Sequence, residues 1–196
     1  LYIPIHMKHL SFIFLLLPAL LFAQQSTHTF SFDGQTRKYI KYVPSSYTGV
    51  DAIPIVFSLH GLGDNMNNFS QVGFHQVADT ANIIVITPEA LPETILTGGE
   101  NAWNSGAGSF GLTLNGNVKD IEFLGAILDT IIANYNVDET RVYSCGFSLG
   151  GFMSQRIACE LNNRFAAVAF LVMVGFQQAL SPLIFKYYTE KKTPSD

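Results

Sequence analysis

Charge is scarce in this chain. Only 13% of its residues are Asp, Glu, Lys or Arg, and 11 basic against 15 acidic side chains leave a formal net charge of −4. No cluster of lysine or arginine occurs, so no basic face is offered to nucleic acid, and no nucleic-acid partner is expected. Cysteine is nearly missing, with only Cys145 and Cys159 present. There is no C-x-x-C and no Cys/His spacing of metal-ligand type, so no metal site is expected and no cofactor is implied. Histidine is missing from the second half of the chain: the residues are His6, His9, His28, His60 and His75. Internal repeats and low-complexity linkers are absent too. The 48% of hydrophobic residues excludes disorder, and 196 residues suggest one domain with a substantial core.

Part of the apolar content sits in one block. Met7–Lys8–His9 is followed by an uncharged apolar run from Leu10 to Ala23 and then Gln24–Gln25. A short basic start, an apolar stretch and a small residue before a polar one describe a secretory signal peptide, with cleavage expected after Ala23. The run falls short of the roughly 20 residues a bilayer span needs, so no membrane association is expected after cleavage. Leu1 to His6 precede the first methionine and are read as upstream translation. Residues 1–23 are therefore set apart, and 24–196 are expected to form the folded domain of a secreted, extracellular or periplasmic protein.

The chain is organised around Arg141–Val142–Tyr143–Ser144–Cys145–Gly146–Phe147–Ser148–Leu149–Gly150–Gly151. A β-branched and aromatic strand runs into G-x-S-x-G and then a helix, the layout of a nucleophile elbow. The strand carries the serine to the sheet edge, and glycines two before and two after leave room where a Cβ would clash. The plain alternative is a glycine-rich strand-to-helix turn with an incidental serine; the strand before and the helix after argue against it. Cys145 lies roughly 10 Å back along the strand from Ser148. Cys159 lies roughly 16 Å along the helix. That separation exceeds the span of a disulfide, so both are expected to be unpaired.

Earlier in the chain, Thr29–Phe32 and Lys38–Val43 are strand-like runs around the turn signal Asp33–Gly34. Ile53–Leu59 is nearly all apolar, as in a strand buried on both faces, and so is Ile83–Thr87 before Pro88. Residues 69–81 carry a loose helical pattern. Leu91–Gly116, rich in Gly, Asn, Ser and Thr, is a long loop of the kind that is often functional. The spacing of Ile121, Leu124, Leu128, Ile131, Ile132 and Tyr135 predicts a helix, with Asn117 as its cap and Asp120 in a capping-box position. Leu149, Met153, Ile157 and Leu161 mark the helix after the elbow, and Ala166–Val172 the next buried strand. A hairpin followed by alternating strands and helices means an α/β layered domain with a mostly parallel sheet.

A serine nucleophile attacking an ester carbonyl needs N–H donors for the oxyanion. Leu149, directly after the serine, supplies one. The loop His60–Gly61–Leu62–Gly63, after a buried strand, is placed to supply others from Gly61 and Leu62. His60 is read as a structural histidine holding this loop in preference to a catalytic base, because its place in the chain order is wrong for the base.

The chain resembles the secreted esterase family that holds polyhydroxybutyrate depolymerase-like and feruloyl or acetylxylan esterase-like α/β-hydrolases. The matching pieces are Leu59–Asp64, Ala102–Gly106, Asn117–Leu124, Val137–Tyr143, Gly146–Gly151, Arg156–Leu161 and Arg164–Ala169, together spanning roughly residues 30–169. The resemblance implies an α/β-hydrolase fold, a serine carboxylic-ester hydrolase with Ser148 as nucleophile, and an ester substrate, either a polyhydroxyalkanoate-type polyester or the acyl groups of plant polysaccharides. It also implies a loop with Trp103 and Asn104 flanking the active-site cleft, and His60, Trp103 and Asn104 are assigned to the substrate site; for Trp103 a partly buried loop anchor is the equal alternative. The departure is that no histidine follows Ser148, and none of the later acids, Glu160, Glu190 and Asp196, follows a recognisable strand. A truncated or frameshifted product lacking C-terminal strands is expected, hydrolysing esters poorly. The alternatives are a short enzyme using His60 or His75 as base, a catalytically dead polymer- or carbohydrate-binding relative, and a secreted peptidase of the same fold.

Overall fold

The structure, a computed structural model, describes residues 24–171; the expected signal peptide and everything read after Leu171 lie outside them. The chain begins with a hairpin of β1 (Gln24–Phe32) and β2 (Gln35–Val43). Phe32 pairs with Gln35, so Asp33–Gly34 is a two-residue turn, with φ of 50° and 73°. Both residues hold positive φ, which explains an aspartate followed by glycine there. β3 (Ile53–Leu59) follows, then the short α1 (Met66–Phe69) and α2 (Phe74–Ala81), and then β4 (Ile84–Pro88). The helix expected over 69–81 is thus broken. Gly73 takes φ 93°, and Asn65 caps a separate turn by accepting from the N–H groups of Asn67 and Asn68.

The long loop is less bare than its composition suggests. It holds two small ribbons, β5 (Pro92–Glu93) with β6 (Glu100–Asn101), and β7 (Gly108–Ser109) with β8 (Leu112–Thr113). Then come α3 (Asp120–Asn134), β9 (Val137–Phe147), α4 (Leu149–Glu160) and β10 (Ala167–Leu171). The main sheet has the order β1-β2-β4-β3-β9-β10. β1/β2 and β2/β4 are antiparallel, and the remaining pairs are parallel.

Alternation divides the core. Ile55, Phe57 and Leu59 of β3 face one layer, where they pack with Phe123, Leu124, Ile127 and Leu128 of α3 and Met153 and Ile157 of α4. Val56, Val85, Tyr143 and Cys145 face the other, against Phe74 and Ala78 of α2. Both faces are covered, so β3 and β4 are apolar except for the buried Ser58 and Thr87. β10, expected to be buried, is only half-buried along its length. It is the last strand of the described sheet, paired on one side with β9.

The expected cap of α3 is not formed. Asn117 lies outside the helix, Lys119 is the N-cap residue, and no side chain caps it. Asp120 is instead drawn into the core, where its carboxylate accepts from Arg37 Nη2 at 2.6 Å and from the Asn104 N–H at 2.8 Å. Arg37 and Asp120 side chains are 2% and 0% exposed. A buried guanidinium without a carboxylate costs more than an uncapped helix end, and that decides the matter.

Candidate active site

Ser148 sits between β9 and α4 with φ 51° and ψ −116°. A non-glycine residue in so sparsely populated a region stores about 1–3 kcal/mol, which the surroundings must hold in place. They do so from three sides. The Ser148 N–H donates to Leu171 O at 2.8 Å, and its carbonyl accepts from Gly151 at 2.9 Å and Phe152 at 3.2 Å. The glycines supply the third constraint. A Cβ on Gly146 would lie 2.2 Å from the carbonyl carbon and oxygen of Gly150. One on Gly150 would lie 2.2 Å from Leu59 O and 2.5 Å from His60 O. The first turn of α4 is therefore wedged between the ends of β9 and β3, and only glycines allow it.

β3 and β9 run in register with Leu59 opposite Gly146, so His60 and Gly61 emerge beside Phe147 and Ser148. A Cβ on Gly61 would meet the Phe147 ring at 3.0 Å. Leu62 is 44% exposed, and the first N–H groups of α4, including that of Leu149, have no intrahelical acceptor. Ser148, Leu149, Gly61 and Leu62 are thus brought to one corner of the sheet's C-terminal edge. Such a corner suits addition of a hydroxyl to a carbonyl whose oxygen becomes negative.

His60 does not reach that corner with its ring. It is fully buried; Nε2 accepts from the Ala90 N–H at 3.0 Å, so the proton lies on Nδ1, which donates to Gly61 O at 2.7 Å. Burial lowers its pKa, with the Gly61 bond and nearby carboxylates opposing, and the ring is neutral. Both nitrogens are used, so His60 neither binds substrate nor serves as base; it braces the loop. Trp103 is also fully buried, tilted against the His60 ring at 5.1 Å, and its Nε1–H donates to His60 O at 2.9 Å. The substrate-site placement of His60 and Trp103 is therefore corrected: they hold the His60–Gly63 loop from beneath.

Asn104 is 6% exposed. Its amide donates to Gly116 O at 3.0 Å and Val118 O at 2.8 Å, and its carbonyl accepts from Arg156 Nη1 at 2.6 Å. These bonds tie the long loop to α3 and α4, so its amide hydrogens are not free for a substrate. It nevertheless borders an open cavity of about 590 Å³ with Ser105, Phe152, Gln155 and Cys159. Phe152 lies one helical turn beyond Ser148, so this cavity begins beside the elbow.

None of the described histidines offers Ser148 a base. His75 is stacked on Tyr42 at 4.2 Å, on the face of the sheet opposite α4, and His28 is stacked on Tyr39 in the outer hairpin. Among the described residues no side chain hydrogen-bonds to Ser148 Oγ. Cys145 is buried, with its thiol pushed up to about 12 by burial, and Cys159 is exposed; they are unpaired, as their separation required.

Sequence reasoning missed Arg37, Asp120 and Arg156, which brace the loop under the site. One signal was available. Arg37 alternates in phase with Tyr39 on β2 and so points inward, where a guanidinium needs an acid.

Comparison with known proteins agrees with this geometry. The Esterase family model matches residues 31–178. A probable feruloyl esterase C of Aspergillus clavatus is 33% identical over 135 residues, which are 69% of this chain and 45% of that protein. A bifunctional acetylxylan esterase/xylanase of Neocallimastix patriciarum is 29% identical over 138 residues, 69% of this chain and 18% of that protein. The chain thus spans less than half the length of these relatives. Among solved structures, an S-formylglutathione hydrolase from Agrobacterium tumefaciens superposes with a TM-score of 0.59 at 19% identity, covering 85% of this chain and 65% of that one. With the sheet order, the elbow and the family match in agreement, the chain belongs to the Esterase family and has the α/β-hydrolase fold.

Proposed function

We propose that this chain carries the nucleophile of a secreted carboxylic-ester hydrolase that removes acyl groups from plant polysaccharides. The observation that carries the reading is the strained Ser148, held at the sheet edge beside the His60–Leu62 loop. Ser148 Oγ adds to the ester carbonyl and gives up its proton to a base, and the carbonyl oxygen takes the negative charge. The N–H groups of Leu149, Gly61 and Leu62 receive that charge, an interaction worth about 3–4 kcal/mol for a single well-placed donor. The tetrahedral centre then expels the alcohol, which takes the proton, and water repeats the sequence to free the acid. Feruloyl and acetyl esters are favoured as substrates by the names of the relatives, and polyhydroxyalkanoate polyesters are the second ester class. Secretion is supported by the Met7–Ala23 pattern.

The base is the weak point. His60 is sealed, His75 and His28 are remote, and no histidine follows Ser148. A serine without an adjacent base stays protonated and weakly nucleophilic, so this chain alone hydrolyses esters slowly. The test compares acid release from methyl ferulate, acetylated xylan and a short polyhydroxybutyrate by the full chain and Ser148→Ala, with and without added imidazole as external base. The reading expects slow, imidazole-enhanced and Ser148-dependent release, largest with the polysaccharide-type esters. Equal rates in both proteins under all conditions would overturn it.

A further inference from the structure

Two hairpins of this protein make the same kind of two-residue turn with different residues. Asp33–Gly34 joins β1 to β2 with φ of 50° and 73°, and Phe110–Gly111 joins β7 to β8 with φ of 53° and 77°. Positive φ at both central positions is why Asn-Gly and Asp-Gly dominate such turns. Aspartate tolerates the first position, whereas a bulky aromatic there is a strained outlier. Phe110 is also 97% exposed, so burial returns nothing for the strain. Two unfavourable choices at one residue, with the better solution present elsewhere in the same chain, point to a role outside folding.

The surroundings indicate the role. The hairpin flanks a groove of about 380 Å³ lined by Thr94, Ile95, Leu112, Thr113, Asn115 and Asn117 among others. Ile95 and Leu112 are 79% and 51% exposed. Residues 91–118 contain no lysine or arginine, and their acids are Glu93 and Glu100 alone. The Glu93 carboxylate is occupied by the N–H groups of Ile95, Leu96 and Thr97. The patch is therefore apolar islands in a neutral field of hydroxyls and amides.

We propose that the Phe110 hairpin and the groove beside it form a docking surface for a neutral polysaccharide chain. A free-standing aromatic ring covers the C–H face of a pyranose, threonine hydroxyls and the Asn117 amide both donate to and accept from sugar hydroxyls, and Asn115, whose amide hydrogens go to Leu91 O and Ala102 O, offers its carbonyl as an acceptor. Nucleic acid and anionic lipid demand the basic side chains that this stretch lacks. A hydroxyl- and amide-lined groove has no counterpart in lipid acyl chains. The surface deepens the polysaccharide reading above by naming where the polymer is held, and it does not require turnover.

The test is native affinity electrophoresis of the full chain in gels containing soluble neutral arabinoxylan, beside Phe110→Asn and Ser148→Ala. Thermal unfolding and sedimentation with phosphatidylcholine vesicles accompany it. Wild type and Ser148→Ala are retarded equally, so loss of hydrolysis and loss of docking are read separately. Phe110→Asn loses retardation by at least about threefold, on the scale of one aromatic contact. It also melts about 2–4 °C higher, because asparagine relieves the turn. No retardation of wild type, equal retardation of Phe110→Asn, or a lower melting temperature in that variant overturns the proposal. Vesicle binding that Phe110→Asn abolishes overturns it in favour of a membrane surface.

Discussion

Replacing Gly150 with alanine sets two effects against each other, and the structure says which wins. Gly150 lies in the first turn of α4, where helix propensity alone favours alanine by about 1 kcal/mol. The new Cβ, however, would stand 2.2 Å from Leu59 O and 2.5 Å from His60 O. Carbon–oxygen contacts close at about 3.3 Å, so the helix must retreat by roughly 1 Å from backbone that cannot swing aside. Overpacking of this kind costs about 1–3 kcal/mol, and with carbonyls on the far side the upper end applies. The net is a destabilisation of about 2 kcal/mol, or about 4–8 °C in the melting midpoint of a domain this size. A local reporter accompanies it. The chain has 1 tryptophan, and buried Trp103 donates to His60 O at 2.9 Å, so displacement of His60 exposes the indole and shifts its emission to the red. Circular dichroism melts and Trp103 fluorescence of Gly150→Ala read both. An unchanged or raised melting point with unaltered emission would refute the wedge between α4 and β3.

Asp120→Ala strands Arg37 in the core and is expected to cost about 3–5 kcal/mol in urea unfolding, whereas adding Arg37→Met recovers part of the loss. A cost below about 1 kcal/mol, or strict additivity, would contradict a buried pair. Stability should also depend on pH through His60, whose pKa burial lowers, with His75 shifted the same way by burial. Above about pH 6.5 neither folded nor unfolded chain holds the His60 proton, and its contribution is fully present. As pH falls below that value the unfolded chain takes the proton first, so stability is lost, by at most about 1.4 kcal/mol per pH unit from one histidine. Urea midpoints at pH 7.5, 6.5 and 5.5 check this, and His60→Gln should flatten the curve; a midpoint that rises on acidification would contradict the sign.

Much of the frame was legible because it depends on local pattern. Ile53–Leu59 reads as a doubly buried strand and is one, to the residue, because burial on both faces makes the run apolar at every position but Ser58. Asp33–Gly34 reads as a tight turn because only positive φ at both positions closes a two-residue hairpin. The elbow was legible because its glycines answer to contacts with the nearest strand ends. What failed depended on partners far away in sequence. Asp120 looks like a capping residue until Arg37, 83 residues earlier, claims its carboxylate. His60 looks like a site residue because it adjoins Gly61 and Leu62, and Trp103 because the family resemblance puts its loop at the cleft, yet the hydrogen bonds from Trp103 to His60 and from Ala90 to His60 turn both inward. Pattern places a residue near a site; only packing decides which way its side chain points.

The central claim, that Ser148 is the poised nucleophile, is tested most directly by intact-mass spectrometry after incubation of the full chain with p-nitrophenyl acetate. A slow, single acetyl adduct that maps to Ser148, forms faster with added imidazole and disappears in Ser148→Ala is the predicted result. Acetylation that persists in Ser148→Ala, or no adduct and no hydrolysis even with imidazole, would contradict it.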